Sequence, residues 1–337
     1  MLEERVGGPG RGAGERLRRL RRTGAIREML RESRVHPSNL MAPIFVKDGE
    51  RVVEPVEAMP GINRYSVDTV SDYVGRLVDE GVRSVLLFGI PSSKDESGSG
   101  AYSSDGVVPR AIEELKSHFQ SLVVAADVCL CEYTSHGHCG VLDGDGVSVS
   151  NEMTLPLLAK AALQYARAGA DIVCPSAMMD GQVRVIRKAL DGSSYEERLV
   201  MGYSAKYASS FYGPFREAAG SAPAFGDRKG YQMSPANSRE AMREIDSDVK
   251  EGADIVMVKP ALSYLDVLSK ARARYDLPLA AYSVSGEYSM IKAAAAKGWL
   301  DEKGAATEVA TSIRRAGADI VITYFAEQLA AWLREGR

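Results

Sequence analysis

Two lysines close otherwise apolar stretches, Tyr203-Ser-Ala-Lys206 and Met257-Val-Lys259-Pro260, and a lysine so placed is costly unless it is used. At pH 7 an unperturbed lysine is neutral in only about one part in a few thousand, which makes it a poor nucleophile. Desolvation and a second ammonium nearby both lower its pKa, and a fall to ~7–8 raises the reactive fraction by roughly several hundredfold. Two lysines in one mouth would therefore activate each other. Their natural chemistry is Schiff-base formation with ketones, at two carbonyls if both take part. Taken singly, each lysine reads better as a snorkelling or ion-paired side chain. Placement at the ends of neighbouring strands is what changes the reading.

A second reactive group is the segment Asp127-Val-Cys-Leu-Cys-Glu-Tyr-Thr-Ser-His-Gly-His-Cys-Gly140. Cys129, Cys131 and Cys139 follow a C-x-C-x7-C spacing, unlike the C-x2-C pairs of structural zinc modules, and three thiolates leave a coordination position open. Three thiolates also outweigh a +2 ion, so holding and orienting a substrate group suits such a metal better than generating hydroxide. Ordinary loop thiols remain the alternative on spacing alone, and Cys174, inside a strand pattern, reads as core. His136-x-His138 invites a metal-dependent hydrolase reading. That reading needs histidines at later strand ends, where this chain has lysines, and His36 and His118 lie elsewhere. Asp143-Gly-Asp-Gly146 reads as a turn, since the later ligands of a calcium loop are missing.

Between Lys206 and Gln232 lies a long segment, residues 207–232, containing Phe211-Tyr-Gly-Pro-Phe-Arg216 and the cations Arg216, Arg228 and Lys229. A loop of this length beside a nucleophile reads as a mobile cover, with cations suited to a substrate carboxylate. A solvated surface loop is the plainer alternative.

The elements that must position these residues announce themselves by repetition. Gly169-Ala-Asp-Ile-Val173, Gly252-Ala-Asp-Ile-Val256 and Gly317-Ala-Asp-Ile-Val321 are copies of one phrase, and seven places after each glycine stand Ser176, Lys259 and Tyr324. A looser copy beginning at Gly81 delivers Phe88. Each glycine reads as a helix C-cap and each following β-branched run as a buried parallel strand. Strands are expected at Met41–Val46, Ser84–Ile90, Leu122–Cys129, Asp171–Pro175, Val200–Lys206, Asp254–Lys259, Leu279–Ser285 and Asp319–Tyr324. Helical spacing separates them, as in Val67, Val70, Val74, Leu77 and Val78, or Leu157, Leu158, Ala161, Ala162 and Tyr165. Eight strands alternating with helices predict a (β/α)8 TIM barrel over residues 39–337, preceded by an extended N-terminal arm over 1–38. An open doubly wound sheet would more naturally carry a Gly-x-Gly-x-x-Gly turn after an early strand, and none is there. In such a barrel Phe88, Asp127, Ser176, Lys206, Lys259, Ser285 and Tyr324 fall at the C-terminal mouth, where these barrels do their chemistry.

Composition sets outer bounds. At 337 residues the chain can bury a full core. It has no apolar run of membrane-spanning length and no signal peptide, so a cytoplasmic protein with reduced cysteines is expected. Residues 1–40 hold ten arginines against five acids, net +5, so a chain at −3 overall carries −8 in the rest. That body repels phosphate, which weighs against nucleic acid as a partner. Met1–Gly14 reads as mobile. Arg16–Arg34, with Leu17, Leu20, Ile26, Met29 and Leu30, reads as a partly helical arm whose apolar side a second subunit would cover.

Together these segments resemble the porphobilinogen synthase (5-aminolevulinic acid dehydratase) family, from Arg18-Arg-Leu-Arg-Arg-Thr23 to Tyr324. The family condenses two molecules of 5-aminolevulinate to porphobilinogen with loss of two waters, in tetrapyrrole and heme synthesis. The resemblance implies that Lys259 forms a Schiff base with the propionate-side substrate, whose carboxylate meets Ser285 and Tyr324. It implies the same of Lys206 for the acetate-side substrate, whose carboxylate meets Arg216, Arg228 and Gln232. It further implies zinc on Cys129, Cys131 and Cys139, proton transfer by Asp127 with Ser176, and pocket walls from Phe88 and Tyr212. Glu244 matches a position that holds an allosteric magnesium in bacterial members, and an exposed helical glutamate is its plainer reading. The family is usually octameric, with hexamers in some members. Ala177 stands where many members have aspartate, and Gly230 where some animal members carry a cysteine for an extra zinc. A class I aldolase barrel, with one lysine and no metal, is the competing enzyme. A zinc-dependent assembly or RNA-binding protein driven by the basic arm is the competing non-enzyme.

Overall fold

In the computed structural model, residues 16–335 are described; the expectation for Met1–Gly14 lies outside them. By internal contacts the chain divides after Arg34, a few residues before the expected boundary. Within the first unit a 3-10 turn, Leu17–Arg21, precedes helix α1, Gly24–Met29, whose Thr23 hydroxyl accepts from the Ile26 N–H as an N-cap. Leu17, Leu20, Met29 and Leu30 are exposed.

The second unit is a closed barrel of eight parallel strands. These are β1 Leu40–Lys47, β4 Ser84–Ile90, β5 Val123–Val128, β6 Ile172–Pro175, β7 Leu199–Lys206, β8 Ile255–Lys259, β9 Leu279–Ser283 and β10 Ile320–Thr323. They pair in chain order, and β10 returns to β1 through Leu40↔Val321 and Met41↔Ile322. This is a (β/α)8 TIM barrel. All eight expected strands are present with ends moved by a residue or two. β9 stops at Ser283, so Ser285 opens helix α9, Ser285–Ala296, instead of closing a strand. A short antiparallel hairpin not read from the sequence, β2 Val53–Pro55 with β3 Asn63–Ser66, extends the sheet beyond the end of β1.

Helices α2 Val67–Asp79, α3 Val107–His118, α4 Asn151–Ala168, α5 Gln182–Asp191, α7 Arg239–Glu251 and α8 Leu265–Arg274 fill the crossovers between successive barrel strands. Both α9 and α10, Glu302–Ala316, lie between β9 and β10. Helix α6, Gly213–Ala218, belongs to the segment after β7, and α11, Ala326–Glu335, follows β10. In α2 the buried positions are Val70, Tyr73, Val74 and Leu77, one face at helical spacing.

The repeated phrase is a joint at the base of the barrel. Gly169, Gly252 and Gly317 take φ values of 109°, 100° and 120°, and the alanine after each donates its N–H back to a carbonyl of the helix just ended. The aspartate that follows ties two strands. Asp171 accepts from Val124 N–H at 2.8 Å, Asp254 from Val200 N–H at 2.7 Å and Asp319 from Leu279 N–H at 3.0 Å. A cation backs each carboxylate: Lys116, Arg187 and Arg272 respectively. Replacing Asp254 with alanine leaves the Val200 N–H at the start of β7 without its acceptor, so Asp254→Ala should cost ~1–3 kcal/mol of stability. A lowered urea midpoint with an unchanged slope checks it.

Candidate active site

The mouth is organised by the pairing of β7 with β8, in which Lys206 lies directly beside Lys259. Paired residues of parallel strands point to the same side, so both amines enter one space. The register shifts between Gly202 and Ala205, and this bulge lets Tyr203 and Lys206 both face inward although three residues apart. The Tyr203 ring consequently lies near both amines, 5.4 Å from Lys206 Nζ and 4.9 Å from Lys259 Nζ.

Lys259 is enclosed by aromatic rings. Its Nζ lies 4.2 Å from the Tyr282 centroid, 5.2 Å from Phe215, 5.5 Å from Tyr212 and 5.9 Å from Phe88. Burial first, and the Lys206 ammonium second, push its pKa down to about 7, with Asp127 and Glu132 acting in opposition. The rings stabilise the cation through their faces, yet the balance leaves a large neutral fraction near neutrality. Lys206 Nζ donates to the Ser176 carbonyl, and Ser176 Oγ donates to Asp127 Oδ2 at 2.9 Å. Burial raises the Asp127 pKa against the pull of both lysines.

Phe88, Asp127, Ser176, Lys206, Tyr212, Arg228 and Lys259 line one cavity, joined by Cys131, Glu132 and Phe215. Its volume is about 20 Å³, roughly room for one water. This is a closed state, in which a bound small molecule requires lid or side-chain movement. Among the described residues, thirteen buried side-chain polar atoms lack a hydrogen-bond partner; Asp127 Oδ1 and Arg228 Nε belong to residues that line this cavity, and Tyr203 Oη, Arg216 Nε, Ser221 Oγ and both amide atoms of Gln232 belong to β7 and the segment after it. Such clustering marks a surface arranged for a polar ligand.

Cys129, Cys131 and Cys139 are buried together, with the sulfurs of Cys129 and Cys131 3.4 Å apart and the third ligand atom within 4.8 Å of both. Cys139 is held well below an ordinary thiol pKa, by the Cys129 and Cys131 thiols first and by Arg228 and Lys206 further on. Three sulfurs on one small triangle form a donor set that fits a soft or borderline metal. Glu132, which sequence reasoning passed over, accepts from the Cys131 thiol at 3.3 Å. With Asp127 and Cys129 it makes a second group of possible ligands. Its signal was its position directly after Cys131.

The other expected residues take more varied places. Tyr324 follows β10 outside the cavity's lining, its hydroxyl 3.0 Å from that of Tyr282. Ser285 Oγ accepts from the Phe215 N–H at 3.0 Å and donates to the Phe211 carbonyl at 3.2 Å, so it fastens the segment after β7. Arg216 is half-buried, its pKa lowered by burial and by Arg228. Gln232 is buried at the edge of a separate groove of about 1190 Å³. Glu244 lines that groove with Asp180, Glu240, Asp248 and Glu251, apart from the lysine cavity, and burial raises its pKa. His136 and His138 bond to the Glu96 and Phe225 carbonyls, and His138 also meets Tyr231. Asp143–Gly146 forms a turn, closed by Gly146 N–H to the Asp143 carbonyl.

The segment expected to act as a lid lies against the cysteine loop. Ala224 N–H reaches the His136 carbonyl, Arg228 donates to the carbonyls of Gly137 and Ser221, and Cys139 N–H reaches the Tyr231 hydroxyl. Arg64 of β3 holds α6 by donating to the Glu217 and Ala218 carbonyls. Gly137, at φ 71°, leaves no room for a side chain, since a Cβ would stand 2.3 Å from the Ala222 carbonyl oxygen. Gly137→Ala should therefore push residues 221–232 off the loop. The expected outcome is faster limited proteolysis within that segment and weaker activity, with the barrel's thermal unfolding little changed.

Comparison with known proteins agrees with this geometry. The sequence matches the family described as Delta-aminolevulinic acid dehydratase over residues 14–332. It is 53% identical over 320 residues to the Delta-aminolevulinic acid dehydratase of Bacillus subtilis, covering 95% of this chain and 98% of that one. It is 54% identical, at the same coverage, to the protein of that name from Archaeoglobus fulgidus. A crystal structure of the Toxoplasma gondii enzyme in complex with its reaction product porphobilinogen superposes with a TM-score of 0.94 at 46% identity, covering 97% of this chain and 93% of that one. The chain belongs to the Delta-aminolevulinic acid dehydratase family.

Proposed function

We propose that this protein condenses two molecules of 5-aminolevulinate to porphobilinogen through Schiff bases on Lys206 and Lys259. The observation that carries the reading is the pair itself: two amines side by side in one closed cavity, one of them at a pKa of about 7. Each substrate is a ketone, and each lysine Nζ adds to one carbonyl carbon. Joining the two molecules makes one carbon–carbon and one carbon–nitrogen bond, and the two carbonyl oxygens leave as the two waters. Holding both ketones on neighbouring strands converts an encounter into a reaction between fixed partners.

Asp127, hydrogen-bonded to Ser176 and lying between the lysines' fields, is placed to take and return protons. Arg228, with Arg216 and Gln232 nearby, offers unpaired donors for one carboxylate, and Ser285 with Tyr324 would take the other once the lid moves. Phe88 and Tyr212 wall the Lys259 side. Cys129, Cys131 and Cys139 would hold zinc, which supplies a Lewis-acidic position for a substrate amino or carbonyl group. Magnesium at Glu244 would act from the separate groove, as an allosteric ion. The exposed apolar residues of the arm, Leu17, Leu20, Met29 and Leu30, suit burial against another subunit in a homo-octamer or hexamer, and the same reading places the enzyme in the cytoplasm, in heme synthesis. A class I aldolase would explain one lysine but not the second amine or the thiol triangle.

Borohydride reduction with 5-aminolevulinate should leave a mass adduct on Lys259, and Lys259→Met should lose that adduct and lower porphobilinogen formation by roughly three orders of magnitude or more. Absence of the adduct in the wild type would end the reading. Because the neutral amine reacts and the pKa of Lys259 is lowered, trapping should be slow below pH 7 and rise roughly tenfold from pH 6 to pH 8. Lys206→Met removes the neighbouring ammonium and should move that inflection to higher pH. Chelation should abolish product formation and zinc should restore it; full activity in metal-free protein would contradict the metal assignment.

A further inference from the structure

Glu287, in the first turn of α9, is a buried carboxylate that takes no part in the chemistry above. It is 1% exposed, and burial pushes its pKa up to about 7 against the pull of nearby backbone N–H groups and the Ser283 side chain. Such a group is costly to keep unless its position does something. Oε1 accepts from the Leu262 N–H at 2.9 Å, while Oε2 has no partner. Leu262 opens a 3-10 turn, Leu262–Tyr264, directly after the Lys259-Pro260-Ala261 stretch that leaves β8. On the β7 side the Lys259 carbonyl is held by the Tyr207 N–H at 3.0 Å and the Tyr212 hydroxyl at 3.2 Å. On the β9 side the strand pairing ends at Val258↔Ala281, and the chain beyond Lys259 leaves that ladder. Glu287 supplies the fastening there. The turn that carries it is itself fixed, since Ser285 is bonded to Phe211 and Phe215 and a Cβ on Gly286 would stand 2.6 Å from the Phe211 carbonyl oxygen.

We infer that Glu287 is a positioning residue for Lys259: anchored on α9, it holds the Leu262 N–H and so fixes the strand end from which the Lys259 amine projects. The inference rests on Lys259 being the Schiff-base lysine proposed above. Glu287 does not line the lysine cavity, so it acts through Lys259 and not on the substrate. A nucleophile displaced by about 1 Å can lose a hundredfold in rate, which is the scale on which a loosened strand end matters. Only Oε1 is engaged, so the role requires an acceptor at that atom and not a charge.

Borohydride trapping of 5-aminolevulinate on Lys259, followed by peptide mass, separates placement from folding. The final yield of adduct per chain counts intact sites, and the rate at which it accumulates reports how the amine is placed. At saturating substrate Glu287→Ala should slow accumulation and lower kcat by about tenfold to a hundredfold, with the final yield at the wild-type value. Glu287→Gln, which keeps an oxygen in the place of Oε1, should trap and turn over close to the wild-type rate. Glu287→Asp, one methylene short of Leu262, should behave as the alanine variant does, and it takes that variant's place in the test if alanine prevents folding. A lower yield at an unchanged rate would show a merely structural role and overturn the inference. So would a glutamine variant as slow as the alanine one, or an alanine variant as fast as the wild type. Those results leave the Schiff-base reading standing, because the wild type still forms its adduct. A wild type with no adduct on Lys259 removes that reading and this inference together.

Discussion

The site depends on one register: Lys206 opposite Lys259 across β7 and β8. A slip by one residue would turn one amine out of the barrel, and the pair would no longer share a cavity. The bulge at Gly202–Ala205 serves the same constraint, since it allows the strand to present both Tyr203 and Lys206 inward. The buried amines lose hydration, and the Tyr203, Tyr282, Phe215, Tyr212 and Phe88 rings return part of it through their faces while excluding water. An amine in such surroundings is stabilised enough to be retained and desolvated enough to react.

Around that pair the mouth is assembled from segments distant in sequence. The cysteine loop follows β5, the cover follows β7, and Ser285 at the start of α9 holds the cover through Phe211 and Phe215. Each lies at the carboxyl end of a strand, where loops vary without disturbing the barrel beneath. The cover and the cysteine loop share hydrogen bonds through Arg228, Ala224 and Tyr231, so the closed cavity is a joint product of both.

Much of this is legible in the sequence. The Gly-Ala-Asp-Ile-Val copies marked helix ends and strand starts because glycine at positive φ and β-branched runs are local signals, and the strand-closing lysines followed from them. What stayed hidden depends on contacts between segments. The β2–β3 hairpin has short, polar strands that carry no periodicity. Tyr203 looked like an ordinary strand residue because a bulge cannot be read from one strand alone. Glu132 lies inside the cysteine segment, but its burial against Cys131 is a tertiary fact. Tyr324 follows β10 as its spacing predicts, and only the structure shows its hydroxyl against that of Tyr282.

The floor of the barrel behaves differently from its mouth. Asp171, Asp254 and Asp319 repeat one fastening at the β5/β6, β7/β8 and β9/β10 boundaries, about 9–10 Å apart by the usual strand spacing. Asp319 stands apart from the other two, so its loss should add to theirs, whereas Arg198 and Arg187 link Asp171 to Asp254. The base can thus absorb a damaged rivet while its neighbours keep the ring shut, whereas the mouth holds a single copy of each working part. Tolerance of substitution should therefore be graded along the barrel axis, greater below than above.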